Sequence, residues 1–200
     1  MTKAIRVHNT GGPEVMTLED VEVGQPGAGE VRVRHTAIGL NFIDVYFRTG
    51  AYPVQTPFTP GFEAAGVVEA VGEGVNNLSV GDRIAYAAQP IGAYAEERLI
   101  AAGRLVKLPD EIADRVGAAI MLKGMTTEYL LRRTYAISAG DTILFHAAAG
   151  GVGLIACQWA SHLGATVIGT VGSEEKADLA REHGCHHTII YTQEDFVEQV

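Results

Sequence analysis

The chain has 200 residues, 47% of them hydrophobic, and its 15 Lys and Arg against 24 Asp and Glu give a net charge of −9 with histidines neutral. That composition excludes collagen-like, low-complexity and disordered classes, because there is ample apolar surface to bury. The acidic balance speaks against nucleic acid as a partner, since such binding runs on surplus Lys and Arg. No run approaches the ~20 apolar residues of a membrane span, so no membrane partner is expected. Met1-Thr2-Lys3-Ala4-Ile5-Arg6 lacks the apolar core of a signal peptide, and Cys157 and Cys185 are the two cysteines. A soluble protein of the reducing cytoplasm is therefore expected, without a disulfide framework.

Up to about Leu108 the pattern is one of short strands separated by Gly and Pro. Val31–Arg34 alternates with period 2, Ala64–Val71 follows the Pro60-Gly61 break, and Ser79–Tyr86 is a turn feeding a strand. Ala93–Ile100 fits strand or helix on pattern alone, and the regular spacing favours strand. Such spacing suggests a partly open β-barrel or sandwich. From Pro109 the grammar becomes alternating helix and strand. Asp110 is read as the cap of a helix through Ile112, Val116, Ala119 and Ile120, and a second helix as starting near Thr126 with Tyr129, Leu130 and Leu131 on one side. Strands follow at Thr142–Ala147, Thr166–Val171 and Thr188–Tyr191. Helices are expected at Leu154–Leu163, stopped by Gly164, from Ser173 to Gly184, and starting again near Glu194–Val197. Strands alternating with helices of this length mean a parallel sheet with right-handed crossovers. The expected fold is thus α/β, a β-rich first half followed by a doubly wound sheet, with domains at 1–124 and 125–200.

Between the first parallel strand and its helix lies Ala147-Ala148-Ala149-Gly150-Gly151-Val152-Gly153. On the G-x-G-x-x-G fingerprint, Gly150 and Gly153 match the second and third glycines and Ala148 stands at the first. Gly150 lets the backbone approach a pyrophosphate, Gly153 lets the helix pack close on the strand, and the helix N-terminus offers its N–H groups to phosphate. Ala149, Gly151 and Val152 complete this expected cofactor loop. NAD-binding units usually place an acid at the end of the second strand for the ribose 2′-hydroxyl. Here that place reads Thr170-Val171-Gly172-Ser173, so nothing repels a 2′-phosphate. Lys176, at about the third position of the next helix, opposes the helix dipole unless an anion is bound there. The expected cofactor is NADPH.

These residues, together with Gly39–Tyr46, Pro60–Gly66 and Met121–Leu131, resemble the zinc-free medium-chain dehydrogenases/reductases of the NADPH:quinone oxidoreductase, ζ-crystallin-like, family. The resemblance covers essentially the whole chain. It implies a GroES-like barrel ahead of a Rossmann domain, and an enzyme that passes reducing equivalents directly from the nicotinamide to a quinone or other small electrophile. It places Asn41 against the nicotinamide or substrate and Tyr46 and Tyr52 along the cleft, with Tyr46 as proton donor. Thr126 or Thr127 falls beside the nicotinamide ribose or phosphate, and Gly172, Ser173, Lys176 and Tyr191 around the adenosine 2′-phosphate. Zinc-dependent relatives have Cys and His where this chain has Asn41 and Phe62, neither a zinc ligand, so no metal is expected. Asp44 and Glu63 are read as supports of the cleft and its loops. The His183, His186 and His187 cluster is read as a solvated helix end, His146 as a hydrogen-bonded interior residue, and both cysteines as packed thiols. Alternatives are an alkenal or enoyl reductase and a non-catalytic, crystallin-like NADPH-binding protein. A full Rossmann fold has about six strands and only three follow residue 140. A fragment or truncated gene product is therefore expected, with homodimerisation a property of the complete chain, and activity of these 200 residues alone is in question.

Overall fold

The computed structural model describes residues 1–87 and 89–200. The chain divides into two compact units, Met1–Leu122 and Lys123–Val200. Among the described residues no helix is long and apolar enough to cross a membrane.

The first unit opens with an antiparallel hairpin of β1 (Thr2–Val7) and β2 (Met16–Val21). Its main sheet is antiparallel, built from β3 (Glu30–Gly39), β4 (Glu63–Val71), β5 (Arg83–Ala87), β6 (Glu97–Ala101) and β7 (Val106–Lys107), in the order β6-β3-β4-β5-β7. Period 2 explains β3. Val31 and Val33 are fully buried with Val68, Ile84 and Tyr86, while Arg34 turns outward and its Nε donates to Glu69 Oε1 at 2.7 Å. The β3–β4 register shifts between His35 and Ala37. Gly66 lies opposite this irregularity, where a Cβ would stand 2.2 Å from the Arg34 carbonyl oxygen. Isolated bridges Ala4–Ala95 and Val7–Phe58 tie the hairpin to the rest of the unit.

Three local expectations for this half are corrected. The strand expected over Ala93–Ile100 forms only at its end, because the Tyr94 N–H donates to Pro60 O and the Tyr94 carbonyl accepts from Ile5 N–H. A helix absent from the strand-only reading, α1 (Phe42–Thr49), follows β3. Its start is fixed by Asp44, whose Oδ2 accepts from the Asn41 N–H at 3.0 Å, and its end by Gly50 at φ +81°. Among the described residues Asp110 caps no helix. Pro109–Ile112 forms a turn and α2 runs from Asp114 to Tyr129. Asp114 anchors this start through the Thr36 hydroxyl and Arg83 Nη2, each at 2.6 Å, and these bonds, Thr36 first, hold its carboxyl below its ordinary pKa.

No second helix begins near Thr126. The same α2 continues through Gly124 and closes with one π-helical turn, Leu130–Thr134. A mid-helix glycine costs about 1 kcal/mol, a penalty the surrounding turns absorb.

The second unit carries the parallel β8 (Thr142–His146), β9 (Thr166–Val171) and β10 (His187–Ile190), ordered β10-β9-β8. Between them run α3 (Gly151–His162), which starts three residues earlier than expected, and α4 (Glu174–Glu182); α5 (Phe196–Gln199) closes the chain. Gly164 and Gly184, at φ +86° and +88°, end α3 and α4. The core uses small side chains, with Ala148, Ala156, Ala160, Ala177 and Ala180 fully buried around Val167 and Cys157. Short side chains let helices approach the sheet closely, which sets the geometry of the loops at its carboxyl edge.

Candidate functional site at the carboxyl edge of the parallel sheet

In open α/β sheets, ligands bind outside the carboxyl ends of the strands. There the chain leaves β8 through Ala147, a non-glycine residue at φ +55°. The turn is closed by Gly150 N–H donating to Ala147 O at 2.8 Å, and joined to β9 by Ala148 N–H donating to Thr170 O at 3.0 Å. Gly153 sits against this turn so tightly that a Cβ would stand 2.4 Å from Ala147 O and 2.5 Å from Ala148 O. The first turn of α3 has Gly150 as its N-cap and receives no side-chain cap. Backbone N–H groups at such an end suit an anion.

Beside the loop lies a cleft of about 130 Å³ lined by Ala147, Ala149, Gly150, Val171, Gly172, Lys176 and Tyr191. Gly172 makes room for the half-exposed Tyr191, whose hydroxyl would stand 2.7 Å from a Cβ at that position. Ser173 caps α4, its Oγ accepting from the Lys176 N–H at 3.3 Å. Among the described lining residues Lys176 is the sole charge, and no carboxylate faces it there. A larger neighbouring cleft of about 570 Å³ includes His146, Thr170, Tyr191 and Phe196, and it is there that the carboxylates Glu194 and Asp195 lie. His146 is exposed at the end of β8, not interior as expected from its apolar strand. Its Nδ1 meets Thr170 Oγ1 at 3.0 Å, and its ring stands edge-on to Phe196.

The structure therefore gathers Ala149, Gly150, Gly172, Lys176 and Tyr191, with Ser173 behind them and Gly151 and Val152 in the first turn of α3. Thr127 is not in the lining of the Lys176 cleft. It is fully buried, and its hydroxyl donates to Lys123 O at 2.9 Å and reaches Val152 O at 3.5 Å, which ties α2 to that first turn. Thr126 is half-buried on α2.

The first unit holds the other expected residues in two groups. Asn41 is buried, and its Nδ2 donates to Glu63 Oε2 at 2.7 Å. Glu63 is fully buried and also accepts the Leu122 N–H at 2.8 Å. Asp44 accepts the Tyr94 hydroxyl at 3.0 Å; burial first, then the Asp44 charge, raises the Tyr94 pKa. Gly39 permits this arrangement, since a Cβ there would stand 2.6 Å from Glu63 Oε2. Tyr46 and Tyr52 form a separate, half-exposed group, their ring centroids 5.2 Å apart, with Phe42 5.3 Å from Tyr46. Glu63 as the direct partner of Asn41 is a geometric fact that the sequence signals only through the nearness of both to glycines.

Among the described residues, no group of three His, Cys, Asp or Glu side chains is placed to hold a metal. His183 and His186 are occupied instead, by Leu179 O and the Val167 N–H. Cys157 and Cys185 are buried, and the Cys157 thiol is pushed up by its hydrogen bond with Cys185 and then by burial.

Comparison with known proteins places this geometry. A family model for the alcohol dehydrogenase GroES-like domain matches residues 27–110, and one described as zinc-binding dehydrogenase matches residues 151–200. The quinone oxidoreductase of Pseudomonas aeruginosa is 56% identical over 100% of this chain and 62% of its own length. A 2-haloacrylate reductase from Burkholderia is 52% identical with the same coverage. The crystal structure of Escherichia coli quinone oxidoreductase complexed with NADPH has a TM-score of 0.96 at 47% identity, covering 98% of this chain and 61% of that one. The chain thus spans about 62% of the length of the curated relatives it matches. The expected GroES-like and Rossmann-type halves are both present, and the chain belongs to the medium-chain dehydrogenase/reductase family, grouped there with the quinone oxidoreductases.

Proposed function

We propose that this protein reduces quinones with NADPH and without zinc, the second unit holding the adenosine phosphate end of the cofactor. The observation that carries the reading is the cleft of Gly150, Gly172, Lys176 and Tyr191, which has a cation and no carboxylate in its lining. A 2′-phosphate brings roughly two negative charges; an acid at the strand end would repel it and Lys176 attracts it. The fit is supported by Gly150 and Gly172, where the backbone is bare of side chains, and by the uncapped first turn of α3.

Bound there, NADPH supplies a hydride, the difficult part of the chemistry. The protein's contribution is positioning and proton supply. Glu63 holds the Asn41 carboxamide in one orientation, so that Asn41 serves as a fixed polar contact. The Phe42, Tyr46 and Tyr52 rings offer a surface on which a flat, electron-poor ring stacks. Tyr46 O–H supplies the proton that completes the hydroquinone. Phe62 has no lone pair to give a metal, and the carboxamide of Asn41 is not among the Cys, His and carboxylate groups that hold catalytic zinc. The partner is a quinone or similar small electrophile, and homodimerisation and a cytoplasmic location belong to the same proposal. Reduction of an activated C=C bond is the second reading, favoured by the 52% identity to a 2-haloacrylate reductase.

Calorimetric titration of the chain with NADPH and with NADH tests the cofactor assignment; equal affinities would overturn it. Turnover with a benzoquinone and with 2-chloroacrylate then separates the two reductase readings, and NADPH binding with neither turnover would mark a non-catalytic binder.

A further inference from the structure

The first unit contains another cleft, of about 310 Å³, whose lining includes Arg98, Arg6, Thr59, Gly92, Glu22 and Glu97. Arg98 is 8% exposed, and its head is fixed on three sides. Nε donates to Leu99 O at 3.3 Å, Nη2 donates to Pro90 O at 2.9 Å, and the guanidinium carbon lies 5.6 Å from the Tyr86 ring centroid. Nη1 is buried with no hydrogen-bond partner among the described residues. Gly92 packs directly against that nitrogen, since a Cβ there would stand 3.3 Å from it. At the same cleft, Arg6 is held by Thr59 Oγ1 and Pro57 O, both at 3.3 Å. Neither arginine forms an ion pair among the described residues, although the chain carries 24 carboxylate side chains. Glu97 lies 4.0 Å from Arg32 instead, and Glu22 is exposed.

A buried charged donor left unmatched is costly, and a ligand that satisfies it recovers that cost on binding. We propose that this cleft binds a small anion bearing one carboxylate or phosphate group, with Arg98 Nη1 as the buried anchor and Arg6 as the second cation. The volume sits at the lower end of small-molecule pockets, ~300–1,000 Å³. Glu22 and Glu97 in the lining restrict the occupant to low charge. This site is independent of the redox reading, since none of its residues lines the Lys176 cleft.

The probes are inorganic phosphate, followed by ³¹P line broadening, and acetate, followed by saturation transfer. Both are applied to the Lys176→Ala chain, which removes the one cation among the described residues lining the other cleft; any binding left at the first turn of α3 is told apart by its indifference to Arg98 and Arg6. Saturable binding of either ion is expected, weakened about tenfold or more by Arg98→Met and about threefold by Arg6→Met. Preference for phosphate or for acetate identifies the group recognised. Absence of saturable binding, or binding that neither substitution changes, overturns the proposal. If Arg98→Met fails to fold, Arg6→Met, which leaves the Arg98 bonds in place, decides it by the same criterion.

Discussion

Gly150, Gly151 and Gly153 stand within four positions, yet a methyl group at each meets very different surroundings. At Gly153 the added Cβ would lie 2.4 and 2.5 Å from two backbone oxygens and 2.6 Å from a carbonyl carbon. At Gly151 it meets the flexible Lys123 stem at 2.8 Å, and at Gly150 a single oxygen at 3.0 Å. A helical Gly→Ala change ordinarily gains about 1 kcal/mol, and overpacking ordinarily costs ~1–3 kcal/mol. At Gly153 the obstacles are backbone atoms that cannot swing aside, so the overlap exceeds the propensity gain. Gly153→Ala should therefore destabilise the second unit by about 2 kcal/mol, while Gly150→Ala and Gly151→Ala stay within about 1 kcal/mol of the parent. Trp159, the one tryptophan, packs against the core of this unit, so its fluorescence in a urea titration reports the loss directly. Binding should sort the positions the other way. Gly150→Val, with bulk where a phosphate must approach, is expected to abolish NADPH binding with a far smaller stability loss. A Gly153→Ala chain as stable as the parent, or a Gly150→Val chain of unchanged NADPH affinity, would refute this division of labour.

Lys176→Ala should weaken NADPH about tenfold and NADH less than twofold, because one exposed ammonium contributes a charge-assisted contact to the extra phosphate alone; calorimetry showing equal losses would remove the 2′-phosphate assignment. His35 provides a pH test. Its Nε2 accepts from Tyr86 O–H at 2.8 Å and its Nδ1–H donates to Ala95 O, and burial, helped by the nearby Arg98 charge, pushes its pKa down to about 4. The unfolded chain takes up that proton near 6.5, so between these values it binds more protons than the folded chain and stability falls as pH drops. From pH 6.5 to 5 the loss is about 2 kcal/mol, measurable by urea titration. In His35→Gln, which keeps a donor and an acceptor, that share should vanish; an unaltered pH slope would assign the dependence elsewhere. Prolonged chelation should leave NADPH-driven quinone turnover unchanged, whereas a loss restored by zinc would overturn the metal-free mechanism.

The second half of the chain was far more legible than the first, and the reason is local. β9 and α4 each carry their own signals, an apolar run for Thr166–Val171 and a serine cap with a closing glycine for Glu174–Glu182. α1 was hidden because its eight residues lie in a stretch of strands and are too short for a periodic stripe to dominate. Its capping pair, Asn41 with Asp44 three positions on, was the available signal, followed by Gly50 in the left-handed region. α2 starts at Asp114 and not after Asp110, although both acids suit a helix end. Long-range partners decided between them: Thr36 and Arg83 are 78 and 31 residues away.

The same distinction runs through the candidate site. A loop that accepts phosphate works through bare backbone, and bare backbone is written as glycine, so Gly150, Gly153 and Gly172 could be found by spacing. Lys176 could be found because a cation at a helix start is locally unfavourable. Asn41 and Glu63, by contrast, are 22 residues apart and meet only because Gly39 at the end of β3 leaves room for a carboxylate rooted at the start of β4. Nothing in the spacing of Asn41 predicts an acid, since the requirement arises from burial: an amide shut away from water needs a fixed acceptor. Arg98 is the opposite case. Its buried nitrogen has no acceptor among the described residues, and an unmet requirement of that kind has no sequence pattern at all. Residues that meet a ligand through backbone shape are therefore readable in one dimension, and those that meet it through buried polarity become visible only when the partners, or their absence, are seen in space.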